Sequence, residues 1–306
     1  MVADTAYAAC RRLAQQHYEN FPVASRLVPP AARPHIAALY AFARTADDFA
    51  DEGDRSNEAR IALLDDWQDR LHRAAAGEGP RDGSDSSMIF VAVGDTIRRC
   101  GLEVSLFDDL LSAFKQDVVV KRYETWDDVL DYCRRSANPV GRLVLRITGY
   151  RDDRLDRASD AVCSALQLAN HWQDLDIDWR RGRLYLPLAV VRSSGASLDD
   201  LDRHSMSPEW QEAMGSAVEY TRALFDDGRS VADGVRGRLR WELRATWLGG
   251  MRVLDRLERA SYDVFHARPK LGWRDAVAIG WRSIWWTTTN VAPTRQPAAR
   301  RDGAAR

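Results

Sequence analysis

Apolar residues recur at three- and four-residue steps through nearly all of this 306-residue chain, and no convincing series alternates as half-buried strands do. That periodicity confines the fold to packed helices. Between Arg33 and Asp51 the series Ile36, Leu39, Tyr40, Ala43 and Ala46 marks one helix face. Pro34 suits its first turn, and Gly53 lies where it should stop. The same spacing predicts helices over 58–75, 90–99, 106–120, 126–135, 142–148, 155–178, 208–229, 239–267 and 273–286. Polar stretches at 77–87 and 192–200 predict loops. Neither separates halves of different composition, so residues 1–291 are expected to form a single domain, an all-α bundle with its site between facing helices. Residues 292–306 hold too little apolar material to fold and are expected to be a disordered tail.

Charge narrows the function. Lys and Arg total 44 against 45 Asp and Glu, which gives no support for general nucleic-acid binding. Lysine occurs only at Lys115, Lys121 and Lys270, so any one of the many arginines is a weak phosphate signal. Cys10, Cys100, Cys133 and Cys163 form no C-x-x-C pair, which argues against zinc and for reduced, isolated thiols. No signal peptide opens the chain, and no apolar run reaches the ~20 residues that span a bilayer. A cytoplasmic protein is expected, with peripheral contact at the inner face of the membrane left open.

Two acidic constellations carry the chemistry. In Asp47-Asp48-Phe49-Ala50-Asp51-Glu52, helical geometry sets Asp47 and Asp51 one turn apart on one face. Like charges at this spacing repel, and they sit at the negative end of the helix dipole, each effect costing a few tenths to about 1 kcal/mol. A divalent cation would remove the penalty; a solvated acidic helix end would tolerate it. The second constellation places Gln167, Asn170, Asp174 and Asp178 on one stripe of a largely apolar helix. Either neighbouring helices satisfy that polar seam, or it binds something. Facing each other across a bundle, the two sets would hold Mg2+ ions bridging a diphosphate, neutralising a leaving group.

At these residues the chain resembles the squalene and phytoene synthase family, from about residue 17 to about residue 265. The likeness rests on the run from Tyr40 through Arg44, Asp47, Asp48 and Asp51 to Glu52, on Gln167 through Asp178, and on Arg181-Gly182-Arg183-Leu184-Tyr185-Leu186-Pro187. Within the family it most resembles the bacterial hydroxysqualene synthases, through Glu19-Asn20-Phe21-Pro22-Val23-Ala24-Ser25 and Cys133 to Gly141. The resemblance implies an isoprenoid synthase bundle with a central cavity, a lyase or transferase of squalene and hopanoid biosynthesis. Its reaction would convert presqualene diphosphate and water to hydroxysqualene and diphosphate. Relatives with the same carboxylates make presqualene diphosphate, squalene or phytoene from prenyl diphosphates. A rival of another class is a catalytically silent assembly subunit, which loss of an aspartate set would favour; both sets are present.

Carried over by resemblance, Asp47, Asp48, Asp51, Asp174 and Asp178 are magnesium ligands, with Asn170 assisting and Gln167 lining the cavity. Arg44 contacts the diphosphate or braces the acidic cluster. Arg183 and Tyr185 close over the diphosphate, while Lys121 and Arg122 are further phosphate candidates. Asn138 to Gly141 either kinks a helix beside the reacting carbons or is a simple loop; there the glycine would let a ligand approach the backbone. Tyr132 faces the carbocation, and His17 lies in the substrate-proximal N-terminal segment. Phe49 and the additional Asp176 depart from the family pattern. No nucleotide fingerprint is present, which agrees with a cation quenched by water. Other enzymes of the squalene pathway are candidate partners.

Trp273, Trp281, Trp285 and Trp286 crowd one short segment near the end of the chain. Packing of a last helix on the bundle accounts for them, as would shallow docking on a membrane.

Overall fold

A computed structural model describes residues 2–16, 27–78, 84–266 and 268–286. His17, the 19–25 segment and the 292–306 tail lie outside the described residues. The helices run in the order α1 (Val2–Gln16), α2 (Arg33–Asp51), α3 (Asn57–Ala75), α4 (Asp85–Cys100), α5 (Val104–Val119), α6 (Trp126–Ser136), α7 (Asn138–Ile147) and α8 (Asp153–Gln173). They continue as α9 (Leu175–Arg180), α10 (Leu188–Ser194), α11 (Leu198–Asp202), α12 (Pro208–Gly228), α13 (Val231–Gly234), α14 (Gly237–Arg259) and α15 (Trp273–Ile284). Among the described residues there is no strand, only an isolated parallel bridge between Arg122 and Leu184. No described helix is long and apolar enough to cross a membrane.

Side-chain caps set several starts. Ser56 accepts from the Ala59 N–H ahead of α3, and Thr125 and Asp128 form a reciprocal capping box on α6. The apolar faces meet in two cores. One gathers α1 to α5 around Phe42, Trp67, Phe90 and Phe107, whose rings lie 4.4–6.2 Å apart. The other gathers α6, α8, α12 and α14 around Trp172, Trp210 and Phe225. Burying each such side chain contributes roughly 1.5–3 kcal/mol. Phe49, the departure noted above, packs edge-on against Trp67 at 5.2 Å. α8 is the spine of the second core, and α12 approaches it closely at Gly228, where a Cβ would lie 2.6 Å from the Ala158 carbonyl oxygen.

The helix predicted over 155–178 is broken at Asp174, whose φ of −104° and ψ of 12° end α8 and begin α9. The break is slight, because the Asp174 N–H still donates to Asn170 O and the Asp178 N–H to Asp174 O, both at 2.8 Å. The loop predicted over 192–200 is largely helical: Ser197 caps α11, and fully buried Leu201 fixes it, in an element too short to show a period. The helix predicted over 239–267 stops at Arg259. Ser261 and Tyr262 turn with positive φ, 51° and 61°, folding Tyr262 and Phe265 back on the second core. All four cysteines are free. Burial pushes the thiols of Cys133 and Cys163 up to about 12, so they stay protonated.

Candidate active site

The acidic end of α2 is met by arginines. Glu52 leaves the helix in an extended conformation, and the Arg60 guanidinium donates to the carbonyls of Phe49, Ala50 and Glu52 at 2.9–3.1 Å and of Gly53 at 2.7 Å. One cation therefore covers the negative end of the helix dipole. Arg44 braces the carboxylates themselves, with Nη2 2.7 Å from Asp48 and 3.0 Å from Glu52, and Nη1 3.6 Å from Asp47. The repulsion inferred from sequence is thus answered in large part by protein cations. Asp47 is the exception. Desolvation, then the charge of Asp51, push its carboxyl up to about 7, although its side chain keeps 42% of its surface open. The Arg44 charge opposes that shift without cancelling it.

Asp51 faces the other half of the molecule. Arg183 grips both of its oxygens, and Arg181 stands 3.4 Å away. Burial alone would raise the Asp51 pKa, but the Arg183 hydrogen bonds and charge outweigh it and hold the carboxyl below its ordinary value. Arg183 reaches this place because the segment after α9 runs beside the end of α5. The Leu184 N–H donates to Lys121 O at 3.0 Å and the Leu188 N–H to Tyr123 O at 2.9 Å. Arg122 fastens the same segment, donating to the carbonyls of Lys121 and Gly182 and stacking over Trp179 at 4.7 Å. Lys121 donates to Asp117 O at 2.6 Å; burial, then the Arg183 charge, lower its pKa.

Asp117 is the residue that sequence reasoning missed. It lies on the core-facing side of α5 and is 6% exposed. Its Oδ1 accepts from the Tyr185 hydroxyl at 3.0 Å and its Oδ2 from the Tyr132 hydroxyl at 2.8 Å, while its carbonyl accepts from Arg183. Burial raises its pKa despite both tyrosine hydrogen bonds. A carboxylate in register with Leu106, Leu110 and Ala113 on a buried face was the signal available in the sequence. Tyr185 also stacks on His171, with centroids 3.6 Å apart, and Tyr123 and Tyr132 complete an aromatic wall.

The second acidic set divides at the break. Arg268, which sequence reasoning also missed, makes a bidentate pair with Asp174. Asp178 has the His171 ring nearby, Nδ1 at 3.9 Å, and its charge is felt by Tyr185. Gln167 contacts His171 at 3.3 Å, and Asn170 is exposed at the head of the same stripe. Asp176 points elsewhere, pairing with Arg180 and His204. Asn138 and Gly141 sit on α7, separated from α6 by Ala137 alone, so the interruption is a kink and not a loop. Asn138 accepts from Ser164 at 2.9 Å. A Cβ on Gly141 would collide with Ser159 Oγ and meet Cys163 Sγ at 2.6 Å. That glycine makes room for α8, where the sequence suggested room for a ligand.

Arg183 and Asp117 gather with Asp51 and Asp47 of the first set, whereas Asp178 of the second is linked to them only through His171 and Tyr185, and Asp174 stands apart on Arg268. Among the described residues no three carboxylate, imidazole or thiol side chains stand close enough together to hold a metal ion alone. The donor set nonetheless fits Mg2+, which takes one or two carboxylates and completes its shell with phosphate oxygens and water. Asp47, short of positive charge, is the observation that fits such an ion.

A family profile described as squalene/phytoene synthase matches residues 14–275. A hydroxysqualene synthase of Zymomonas mobilis is 42% identical over 211 residues, covering 68% of this chain and 67% of that protein. A 15-cis-phytoene synthase of Synechococcus elongatus is 30% identical over 275 residues, 86% of this chain and 87% of that protein. The crystal structure of squalene synthase HpnC from Alicyclobacillus acidocaldarius superposes with a TM-score of 0.79 at 41% identity, covering 85% of this chain and 96% of that one.

Proposed function

The chain belongs to the squalene/phytoene synthase family, and on that premise we propose that it converts presqualene diphosphate and water to hydroxysqualene and diphosphate. It is an enzyme of prenyl diphosphate chemistry with the isoprenoid synthase fold of the squalene synthase type. The observation that supports the reading is the convergence of Asp47, Asp51 and Arg183 on buried Asp117, whose partner Tyr185 also feels the Asp178 charge. We assign the catalytic unit to residues 1–291.

Asp47, Asp48 and Asp51 on one side, and Asp174 and Asp178 with Asn170 on the other, would hold magnesium. The ion supplies positive charge that stabilises diphosphate as it leaves. Arg183, Arg181 and Lys121, which border Asp51 and Asp117, would receive the phosphate oxygens and keep the diphosphate oriented. As the carbon–oxygen bond breaks, both electrons leave with the diphosphate. Tyr132 would face the cation, and the buried wall that it forms with Tyr123 and Tyr185 would help to exclude bulk water. One admitted water then forms the new carbon–oxygen bond and loses a proton to the departed diphosphate. No reductant enters the balance. Peripheral membrane contact and association with other enzymes of the squalene pathway belong to the same reading.

The test is incubation of purified protein with Mg2+ and presqualene diphosphate in 18O-labelled water, without reductant, followed by mass spectrometry. Hydroxysqualene carrying one labelled oxygen is expected. Untouched presqualene diphosphate, together with presqualene diphosphate or phytoene made from shorter prenyl diphosphates, would overturn the assignment.

A further inference from the structure

Among the described residues ten large apolar side chains stand exposed, and six of them, Leu271, Trp273, Val277, Trp281, Ile284 and Trp285, fall between positions 271 and 285. On α15, Trp273, Val277 and Trp281 repeat every four residues, Ile284 fills the same strip and Trp285 continues it at the C-cap, giving one apolar face about 120° wide. Each of these five keeps 60–74% of its surface open. The helix is not loose. Its opposite face holds Asp275, 1% exposed, which pairs with Arg252 at 2.9 Å and Arg256 at 2.5 Å. Ser283 donates to Ile279 O there, Arg244 donates to Ser283 O, and Ile279 and Trp286 pack on the second core.

Charge identifies what covers the outer face. The only carboxylate of α15 is the buried, doubly paired Asp275, whereas Arg274 and Arg282 are exposed. Residues 287–306 add four arginines against one aspartate. They contain a single large apolar residue, Val291, too little to cover the strip. A second copy of the chain fits poorly: one convex helix face is small beside the ~800 Å2 per partner that a stable interface buries. Indole rings flanked by arginine, with no exposed carboxylate, suit the boundary of an anionic bilayer.

We propose that α15 docks in the interface of an anionic lipid membrane, with its tryptophans at headgroup level and Arg274 and Arg282 on lipid phosphates. The segment leading into it already touches the acidic site, since Arg268 pairs with Asp174 and the Pro269 carbonyl accepts from Gln173. Docking would therefore hold that side of the site against the phase in which a long prenyl chain dissolves. The proposal rests on the peripheral membrane contact of the proposed function and gives it a surface, but vesicle binding is read without turnover, so its failure is distinct from a failure of the assigned reaction.

The test is co-sedimentation of the full chain with phosphatidylcholine vesicles, with and without phosphatidylglycerol. The wild type should pellet with the mixed vesicles and much less with phosphatidylcholine alone. The triple variant W273S/W281S/W285S should bind about tenfold or more weakly with an unchanged melting temperature. Arg274→Glu with Arg282→Glu, which leaves every apolar contact in place, should abolish the preference for phosphatidylglycerol. Failure of the wild type to bind mixed vesicles, or equal binding by both variants, would overturn the proposal. So would a wild-type dimer in sedimentation velocity that the triple variant disperses without any vesicle binding.

Discussion

Arg183 reaches across 132 residues of sequence to hold both carboxylate oxygens of Asp51, with Nη1 3.0 Å from Oδ2. The pair ties the end of α2, in the first core, to the segment after α9, whose Leu184 lies in the second. A guanidinium there occupies a place that a divalent cation would also favour, because both answer the same carboxylate.

Arg183→Ala should therefore destabilise the protein by about 3 kcal/mol, since it strands a largely buried carboxylate. Added Mg2+ should recover more stability in this variant than in the wild type, by binding where the guanidinium stood. Urea denaturation with and without magnesium measures both effects. Equal stabilisation of the two proteins would mean that the arginine and the ion do not share a site.

Asp47 makes a pH prediction. Its folded pKa is raised to about 7 from an ordinary 3.8, so between those values the folded state holds more protons than the unfolded one. Stability falls as pH rises through that window, and the loss is complete above about 7. Asp47→Asn cannot ionise, and should be more stable than the wild type above that window by on the order of 1 kcal/mol, allowing for solvent screening. The two proteins should converge at the acidic end. Melting curves across the range, with turnover measured alongside, should show a variant gaining stability as it loses activity.

Tyr132→Phe tests the buried centre. Its hydroxyl is one of two donating to Asp117, and the vacated oxygen lies where water has poor access. Loss of about 1–3 kcal/mol is expected by chemical denaturation, the cost of an unmet buried acceptor. Wild-type stability would show that Asp117 finds another donor.

Asp48→Asn and Asp174→Asn should each lower turnover at least about a hundredfold while circular dichroism keeps its helical signal. Both side chains are paired with arginines on partly open surfaces, Arg44 and Arg268, so neither supports the core. Full activity in either variant would remove that carboxylate from the mechanism.

How much of this was legible in the sequence follows from range. Helix periodicity is local, and it placed α2 at its observed bounds and most long helices within a turn or so. The acidic motifs were visible because their residues are neighbours in sequence. Their partners were not: Arg183 to Asp51 and Arg268 to Asp174 are closed by chain folding across 132 and 94 residues. The resemblance marked Arg183, but not as the partner of Asp51, and among 44 basic residues nothing local marks Arg268. Asp117 was legible as a charge at a core position of α5, but its meaning depends on two tyrosines from other elements. The break at Asp174 was hidden because the backbone hydrogen bonds continue across it.

Gly141 separates a packing role from a ligand role. If the glycine serves the approach of a substrate to the backbone, an added methyl should leave the unliganded protein as stable as before. The structure argues otherwise, because the methyl would collide with Ser159 Oγ and stand 2.6 Å from Cys163 Sγ, forcing α7 and α8 to move apart or the two side chains to turn away. Gly141→Ala should then cost about 1–3 kcal/mol, the range of an overpacked core. Removing the nearer obstacle in Gly141→Ala with Ser159→Ala should restore part of that loss, since the Ser159 Cβ would lie 3.6 Å from the added methyl and can stay. Unfolding in urea compares the three proteins without substrate. An unchanged midpoint in the single variant, joined to a raised KM, would return the glycine to the binding surface.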